Sequence, residues 1–81
     1  HGLLVMGKTL QEAFIRYWTL QRACDIQVAT HAMGQPIMVD EDVLTVHQRD
    51  LHHVQLPGGA GRAEFDAMVR RIDKLDTSWR D

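Results

Sequence analysis

Residues 1–14 read HGLLVMGKTLQEAF, and this stretch predicts a buried strand that leads directly into a long helix. Its LLVM run is apolar without alternation, which suits a strand covered on both faces. Thr9 and Glu12 then form a capping box: the Thr9 hydroxyl can accept a hydrogen bond from the Glu12 N–H, while the Glu12 carboxylate accepts one from the backbone N–H of Thr9. The sequence therefore predicts a strand over residues 2–7, followed by a helix.

The rest of the chain is predicted to form helices around one glycine-rich connection. Apolar residues recur every three or four positions before Gly34, and Asp40 is a suitable N-cap for the next helix. Three glycines in four residues are typical of a linker, because glycine loses the most backbone entropy on ordering. The predicted elements are a long helix over residues 10–33, a short helix over 41–53, a linker over 57–61 and a C-terminal helix over 62–79.

One strand plus about three helices makes the 81-residue chain mainly α-helical. A lone strand leaves its backbone N–H and C=O groups without partners, and a helix over residues 10–33 would be about 36 Å long. A free-standing protein of this size cannot both pair the lone strand and pack against the whole of the long helix. We therefore expect the chain to be the C-terminal segment of a larger α/β domain.

Composition excludes several classes of partner. Nine Lys and Arg are outnumbered by eleven Asp and Glu, the net charge is −2, and there is no basic run, so a nucleic-acid surface is not expected. No apolar run is long enough for a signal sequence or a membrane span. The single cysteine, Cys24, forms no intrachain disulfide or C-x-x-C pair, which favours a cytoplasmic protein.

Histidine and cysteine spacing does not indicate a second reactive site. His47 and His52 are five residues apart, and the adjacent His52 and His53 point in different directions on a helix, so exposed histidines are expected. Cys24 lies on the apolar stripe of the long helix without a cation one turn away, so we expect a buried, inert thiol.

The pattern H-G-L-L-x-x-G-x-T-x-x-E-A-F at residues 1–14, followed by L-x-x-A-C-x-I-Q at residues 20–27, resembles the class II aldolase/adducin family. The sequence L-D-x-x-W-R-D at residues 75–81 adds support. The resemblance implies an α/β/α sandwich around a mostly antiparallel sheet, of which this chain is the C-terminal part.

The resemblance also implies a metal site. In the family, three histidines hold a divalent metal, commonly zinc, and the third of them corresponds to His1. The other two form an H-x-H pair which, like the catalytic acid, would precede His1, so no catalytic residue is expected in this chain. The implied activity is a lyase that cleaves a small hydroxy-carbonyl, sugar-phosphate-like substrate through a metal-stabilised enediolate. The chain alone would be inactive.

Alternative functions remain open at this stage. Epimerases and decarboxylases of the family share the enediolate, and the stretch LQRACDIQV at residues 20–28 resembles the non-catalytic adducin head domains equally well. A helical oligomer without activity of its own is a third possibility. We also expect a homo-oligomer, which the resemblance makes a tetramer for the complete protein, because the apolar faces of two long helices need covering.

Overall fold

The computed structural model describes all 81 residues and consists of three α-helices and one short 3₁₀-helix. The elements are α1 over Leu10–Met33, α2 over Glu41–His53, α3 over Arg62–Leu75 and the 3₁₀-helix over Ser78–Arg80. The expected mainly α-helical character is confirmed. No strand is present, so the strand predicted over residues 2–7 does not form in the chain.

Helix α1 is initiated by the predicted cap, with one difference in its hydrogen bonds. The Glu12 N–H donates to the Thr9 hydroxyl at 3.1 Å, as a capping box requires. The Glu12 carboxylate, however, accepts from the Lys8 N–H at 3.0 Å and not from that of Thr9. The cap therefore extends one residue further back along the chain and includes the end of the preceding segment.

The C-terminal helix is shorter than its apolar pattern predicts. Helix α3 ends at Leu75, where Asp76 adopts an extended backbone, and Trp79 lies in the following 3₁₀-helix. The Asp76 carboxylate accepts hydrogen bonds from the Ser78 N–H at 2.8 Å and the Ser78 hydroxyl at 2.9 Å. Local side-chain bonds of this kind compete with continued helix and end α3 before residue 79.

The missing strand has a simple physical cause. A strand exists only where its backbone groups pair with a neighbour, and no other part of the chain is extended beside residues 1–7. Leu4 and Met6 are 90% and 78% exposed, whereas Leu3 and Val5 are half-buried, so the apolar run is partly covered on one face only. The apolar pattern predicts burial on both faces of a strand, which these 81 residues do not provide by themselves.

Only α1 and α3 pack against each other among the helices. Phe14 and Phe65 meet edge to face, with ring centroids 5.5 Å apart, which is a favourable arrangement for aromatic pairs. Gly61 precedes α3 and is the one buried residue of the chain. A Cβ atom there would lie 2.2 Å from the Gln11 carbonyl oxygen and 2.7 Å from Ile15 Cγ2. The absence of a side chain at Gly61 thus allows α3 to approach α1.

The chain exposes far more surface than a compact protein of its mass. A compact monomer of 9.3 kDa exposes about 5,000 Å², whereas this chain exposes 7619 Å². Its radius of gyration is 16.5 Å, against about 12 Å for a compact 81-residue domain. No apolar side chain is fully buried. Hydrophobic burial within the chain is therefore small, and further stabilisation requires another surface.

We predict that Gly61→Ala destabilises the protein by about 2 kcal/mol or more, because it adds a clash with backbone to the cost of a positive φ. The matched control is Gly59→Ala: Gly59 has a φ of +89° and Gly61 one of +80°, but nothing lies within 4 Å of a Cβ at Gly59. The control should cost only about 1–2 kcal/mol. The free energy of unfolding in urea measures both variants, and equal losses would contradict the packing role of Gly61.

Candidate functional site

The predicted metal ligand, His1, is exposed at the head of a segment in which Leu3 and Val5 are half-buried. Residues 1–7 have no regular secondary structure, and Gly2 has a φ of +117° with open space around it. Nothing near His1 fixes the imidazole directly. At its other end, hydrogen bonds tie the segment to α1.

Two side chains of α1 hold that end. Arg16 Nη1 donates to the Met6 carbonyl oxygen at 2.8 Å, and the Glu12 carboxylate accepts from the Lys8 N–H at 3.0 Å. Arg16 and Glu12 also form an ion pair with each other, at the i, i+4 spacing that brings helix side chains together. The backbone on both sides of Gly7 is thus bound to the first turns of α1.

The donor set does not make a metal centre within the chain. A zinc site needs three or four protein ligands, and no group of three or more His, Cys, Asp or Glu side chains lies close enough to hold an ion. His1 has suitable ligand chemistry but no second ligand beside it. The 81 residues therefore do not fit a complete metal site, and His1 as a ligand stays a prediction.

The other histidines lie apart from any such cluster. His31 is within hydrogen-bond distance of Gln27, at 3.1 Å, near the end of α1. His47, His52 and His53 are exposed on α2, which confirms the expectation from their spacing. His47 borders an open surface of that helix with Asp42 and Asp50, but the three side chains are not placed so that they could hold a metal ion.

The thiol of Cys24 is exposed, so the expectation of a buried cysteine is wrong for this chain. The apolar stripe that contains it forms a shallow surface along α1, bordered by Leu20, Ala23, Cys24, Gln27 and Val28. No other helix covers this surface, because α1 packs only against α3. The helical periodicity correctly predicts the stripe, but its burial requires a neighbour that the chain does not supply.

Comparison with known proteins finds a family match at the start of the chain. Residues 1–28 match the model of the Class II Aldolase and Adducin N-terminal domain. Curated relatives extend the similarity over nearly the whole chain, since six of them align with 93% or more of it. The chain belongs to the class II aldolase/adducin family.

The relatives come from both branches of the class II aldolase/adducin family. A provisionally named aldolase class 2 protein of Pseudomonas aeruginosa is 28% identical over 83 residues, covering 99% of this chain. Human beta-adducin is 32% identical over 88 residues and mouse gamma-adducin 30% over 91, each covering 93% of the chain. The chain spans 32% of the length of the bacterial protein and 12% of each adducin. No solved structure matches the chain.

No stretch of the three helices combines the length and apolarity that a bilayer crossing requires.

Trp79 and Arg80, which belong to the C-terminal W-R-D sequence, take part in contacts that hold the end of the chain. Arg80 donates to Asp73 through both Nε, at 2.8 Å, and Nη2, and its guanidinium lies 4.6 Å from the Trp79 ring centroid. The hydrogen bonds from Arg80 lower the pKa of Asp73 below its ordinary value. This pair links the 3₁₀-helix back to the last turns of α3.

Sequence reasoning missed the role of Arg16. The i, i+4 spacing of Glu12 and Arg16 was a usable signal for their ion pair. The bond from Arg16 to Met6 joins residues ten positions apart and depends on how the chain turns at Gly7. No helical or strand periodicity contains that information.

We predict that Arg80→Gln raises the Asp73 pKa toward its ordinary value, because the charged donor is lost. A lowered pKa in the folded state means that the pair stabilises the chain at neutral pH. That contribution begins to fall once the pH drops below the ordinary carboxyl value, and it is gone below the lowered one. Carboxyl ¹³C NMR titration measures the change. The control is Arg70→Gln, because Arg70 is exposed on α3 and forms no ion pair in the structure. An unchanged Asp73 pKa in Arg80→Gln would contradict the assignment.

Proposed function

We propose that the chain contributes His1 as one of three histidine ligands to the metal centre of a class II aldolase-like lyase. The observation that carries the proposal is the family match over residues 1–28, which includes His1 and the capped start of α1. The remaining ligands and the catalytic acid then lie outside the 81 residues, in agreement with the lack of a second ligand beside His1.

The complete domain in this proposal is an α/β/α sandwich, in which residues 2–7 pair as a strand. Leu4 and Met6 are exposed while Leu3 and Val5 are half-buried, as expected of a strand that lacks its neighbours on one face. Pairing on both edges would satisfy its backbone groups, and helices on both faces would cover the side chains.

The proposed reaction is cleavage of a carbon–carbon bond next to a carbonyl in a small hydroxy-carbonyl compound of the sugar-phosphate kind. This cleavage leaves an enediolate, and a divalent metal such as zinc would supply the positive charge that stabilises it. In this reaction the chain contributes one neutral imidazole, that of His1, and the segment that carries it. Epimerisation and decarboxylation through the same intermediate are compatible with the same contribution.

A second candidate function is an adducin-like assembly domain without catalysis. Two observations favour it: the adducins reach 30–32% identity over 93% of the chain, and the exposed surface exceeds that of a compact monomer. The two functions differ in their use of His1, because an assembly domain has no need of a metal ligand there.

We predict that His1→Ala, made in the protein that carries these residues, removes the bound metal and lowers lyase activity by about 100-fold or more. His47→Ala is the matched control, since His47 is exposed on α2 and has no metal-ligand partners. It should leave metal content and activity unchanged. Zinc content by mass spectrometry and a retro-aldol assay provide the measurements.

The outcome separates the two candidate functions. Full zinc content in His1→Ala would overturn the role of His1 as a ligand. A wild-type protein that holds no metal and cleaves no hydroxy-carbonyl substrate, but assembles into oligomers, would support the adducin-like function.

We also propose that the protein is a homo-oligomer, with the apolar stripe of α1 as part of the contact. Ala23 lies on this stripe, whereas Ala29 lies on the opposite face of α1, and both are exposed. Ala23→Lys should shift sedimentation toward smaller species because it places a charge in the contact, and Ala29→Lys should not. A monomeric wild-type protein at high concentration would contradict this proposal.

A further inference from the structure

The connection between α1 and α2 carries three adjacent apolar side chains that the chain leaves in solvent. Ile37, Met38 and Val39, here named the apolar arm, are 96%, 81% and 56% exposed, and residues 36–40 have no regular secondary structure. A run of exposed apolar residues is unfavourable unless it has a binding role. Pro36 fixes its own φ and restricts the residue before it, so the arm loses less conformational freedom when it binds a surface.

A cleft between α1 and α3 has a matching apolar surface. Its volume is about 270 Å³, whereas a cavity of about 150 Å³ already holds a benzene molecule. Trp18 and Met68 on its walls stay 54% and 44% exposed, so the chain does not fill the cleft with its own side chains. The cleft therefore has room for a large aliphatic side chain. It is lined by Phe14, Ile15, Trp18, Glu64, Ala67 and Met68.

The cleft has a defined direction, because α1 and α3 start at the same end of it. Gly61, which precedes α3, lies against Gln11 and Ile15 near the start of α1. Glu64 lies at this end of the cleft, where it is exposed and forms no ion pair. An acidic ligand group is disfavoured here, since like charges repel.

The far end of the cleft is positively charged. Arg22 lies one turn beyond Trp18, with its guanidinium 5.8 Å from that ring centroid, and Arg71 lies one turn beyond Ala67. Arg71 is exposed and forms no ion pair, whereas Arg22 also pairs with Asp25. The cleft thus favours an apolar ligand that is followed by acidic groups.

The apolar arm is followed by acidic groups of this kind. Asp40, Glu41 and Asp42 come directly after it, all three are exposed, and none forms an ion pair. In extended chain, Asp40 lies about 7 Å beyond Met38, which is close to the ~5.4 Å rise of the helical turn that separates Arg71 from the cleft walls. The order of apolar and charged groups in the arm therefore complements that in the cleft.

The arm cannot enter the cleft of its own chain. From Trp18 to Met33, the last residue of α1, the helix rises about 22 Å at ~1.5 Å per residue. From Met33 to Met38 the chain spans at most about 18 Å, even when it is fully extended. An arm that reaches the cleft must therefore come from another copy of the chain.

We propose that the apolar arm of one copy binds in the α1–α3 cleft of a second copy, with its acidic residues at the Arg22 and Arg71 end. This inference rests on the proposed homo-oligomer and adds a contact separate from the apolar stripe of α1. The chain exposes 7619 Å², which exceeds the surface of a compact monomer by more than the about 800 Å² that one partner contributes to a stable interface. Because each copy carries both the arm and the cleft, a two-fold axis fills both clefts reciprocally.

Cysteine cross-linking between two differently substituted copies tests the contact in the protein that carries these residues. Cys24→Ser removes the one native thiol. Met38→Cys is made in one copy and Ala67→Cys in a co-expressed second copy, and the purified protein is oxidised with diamide. We expect about tenfold more disulfide-linked heterodimer than from the control pair Gln48→Cys and Ala67→Cys, because Gln48 is exposed on α2 outside the arm. Mass spectrometry identifies the linked peptides.

Charge reversal at the far end of the cleft tests the complementarity. Arg71→Glu in the Ala67→Cys copy should lower the cross-linking rate by about tenfold, because it places a carboxylate beside the acidic residues 40–42 of the other copy. Arg70→Glu is the matched control: it changes the net charge equally, but Arg70 lies about 100° away from Arg71 around α3. It should leave the rate within about twofold of the unreversed protein.

Each result decides a separate point. An oligomeric protein that gives no more heterodimer than the Gln48→Cys control would overturn the arm contact, while the proposed homo-oligomer stands. A wild-type protein that is monomeric at high concentration would overturn both. Equal rates for Arg71→Glu and Arg70→Glu would overturn the placement of the acidic residues at the far end of the cleft.

Discussion

The carboxylate of Glu12 joins the two parts of the chain that carry the family pattern. It accepts from the Lys8 N–H and pairs with Arg16, while its own backbone N–H donates to the Thr9 hydroxyl. Helix initiation and the attachment of the preceding segment thus depend on one residue. Because these bonds are local or one helical turn apart, they form at little cost in chain entropy. They need no hydrophobic core to support them.

The second constraint is the shortage of apolar burial. Helices α1 and α3 meet at Phe14, Phe65 and Gly61, and beyond this contact the large apolar side chains stay at least partly exposed. Such a chain gains stability chiefly from capped helices and short-range ion pairs, each of modest size. Its remaining apolar surface is typical of a protein that is completed by further structure, either from the same polypeptide or from another copy.

These two constraints bear differently on the candidate functions. A lyase of the proposed kind depends on His1, at the head of the segment before α1. An assembly domain requires the exposed stripe of α1 and places no demand on His1. The relatives of the chain include an aldolase class 2 protein and adducins. Metal content and oligomeric state are consequently independent questions for this protein.

The sequence by itself determined the helices and the family. The bounds of α1 follow from the Thr9 cap, apolar spacing and Gly34, all of which act within a few residues. Helix α2 has its predicted bounds, although the side chain of its N-cap residue, Asp40, makes no capping hydrogen bond. Tertiary structure decided what local pattern could not. The strand at residues 2–7 needed a partner, the burial of Cys24 needed a neighbour, and α3 ended early because Asp76 bonds to Ser78. The bond from Arg16 to Met6 likewise depends on the turn at Gly7, since it links groups that only the folded path of the backbone brings together.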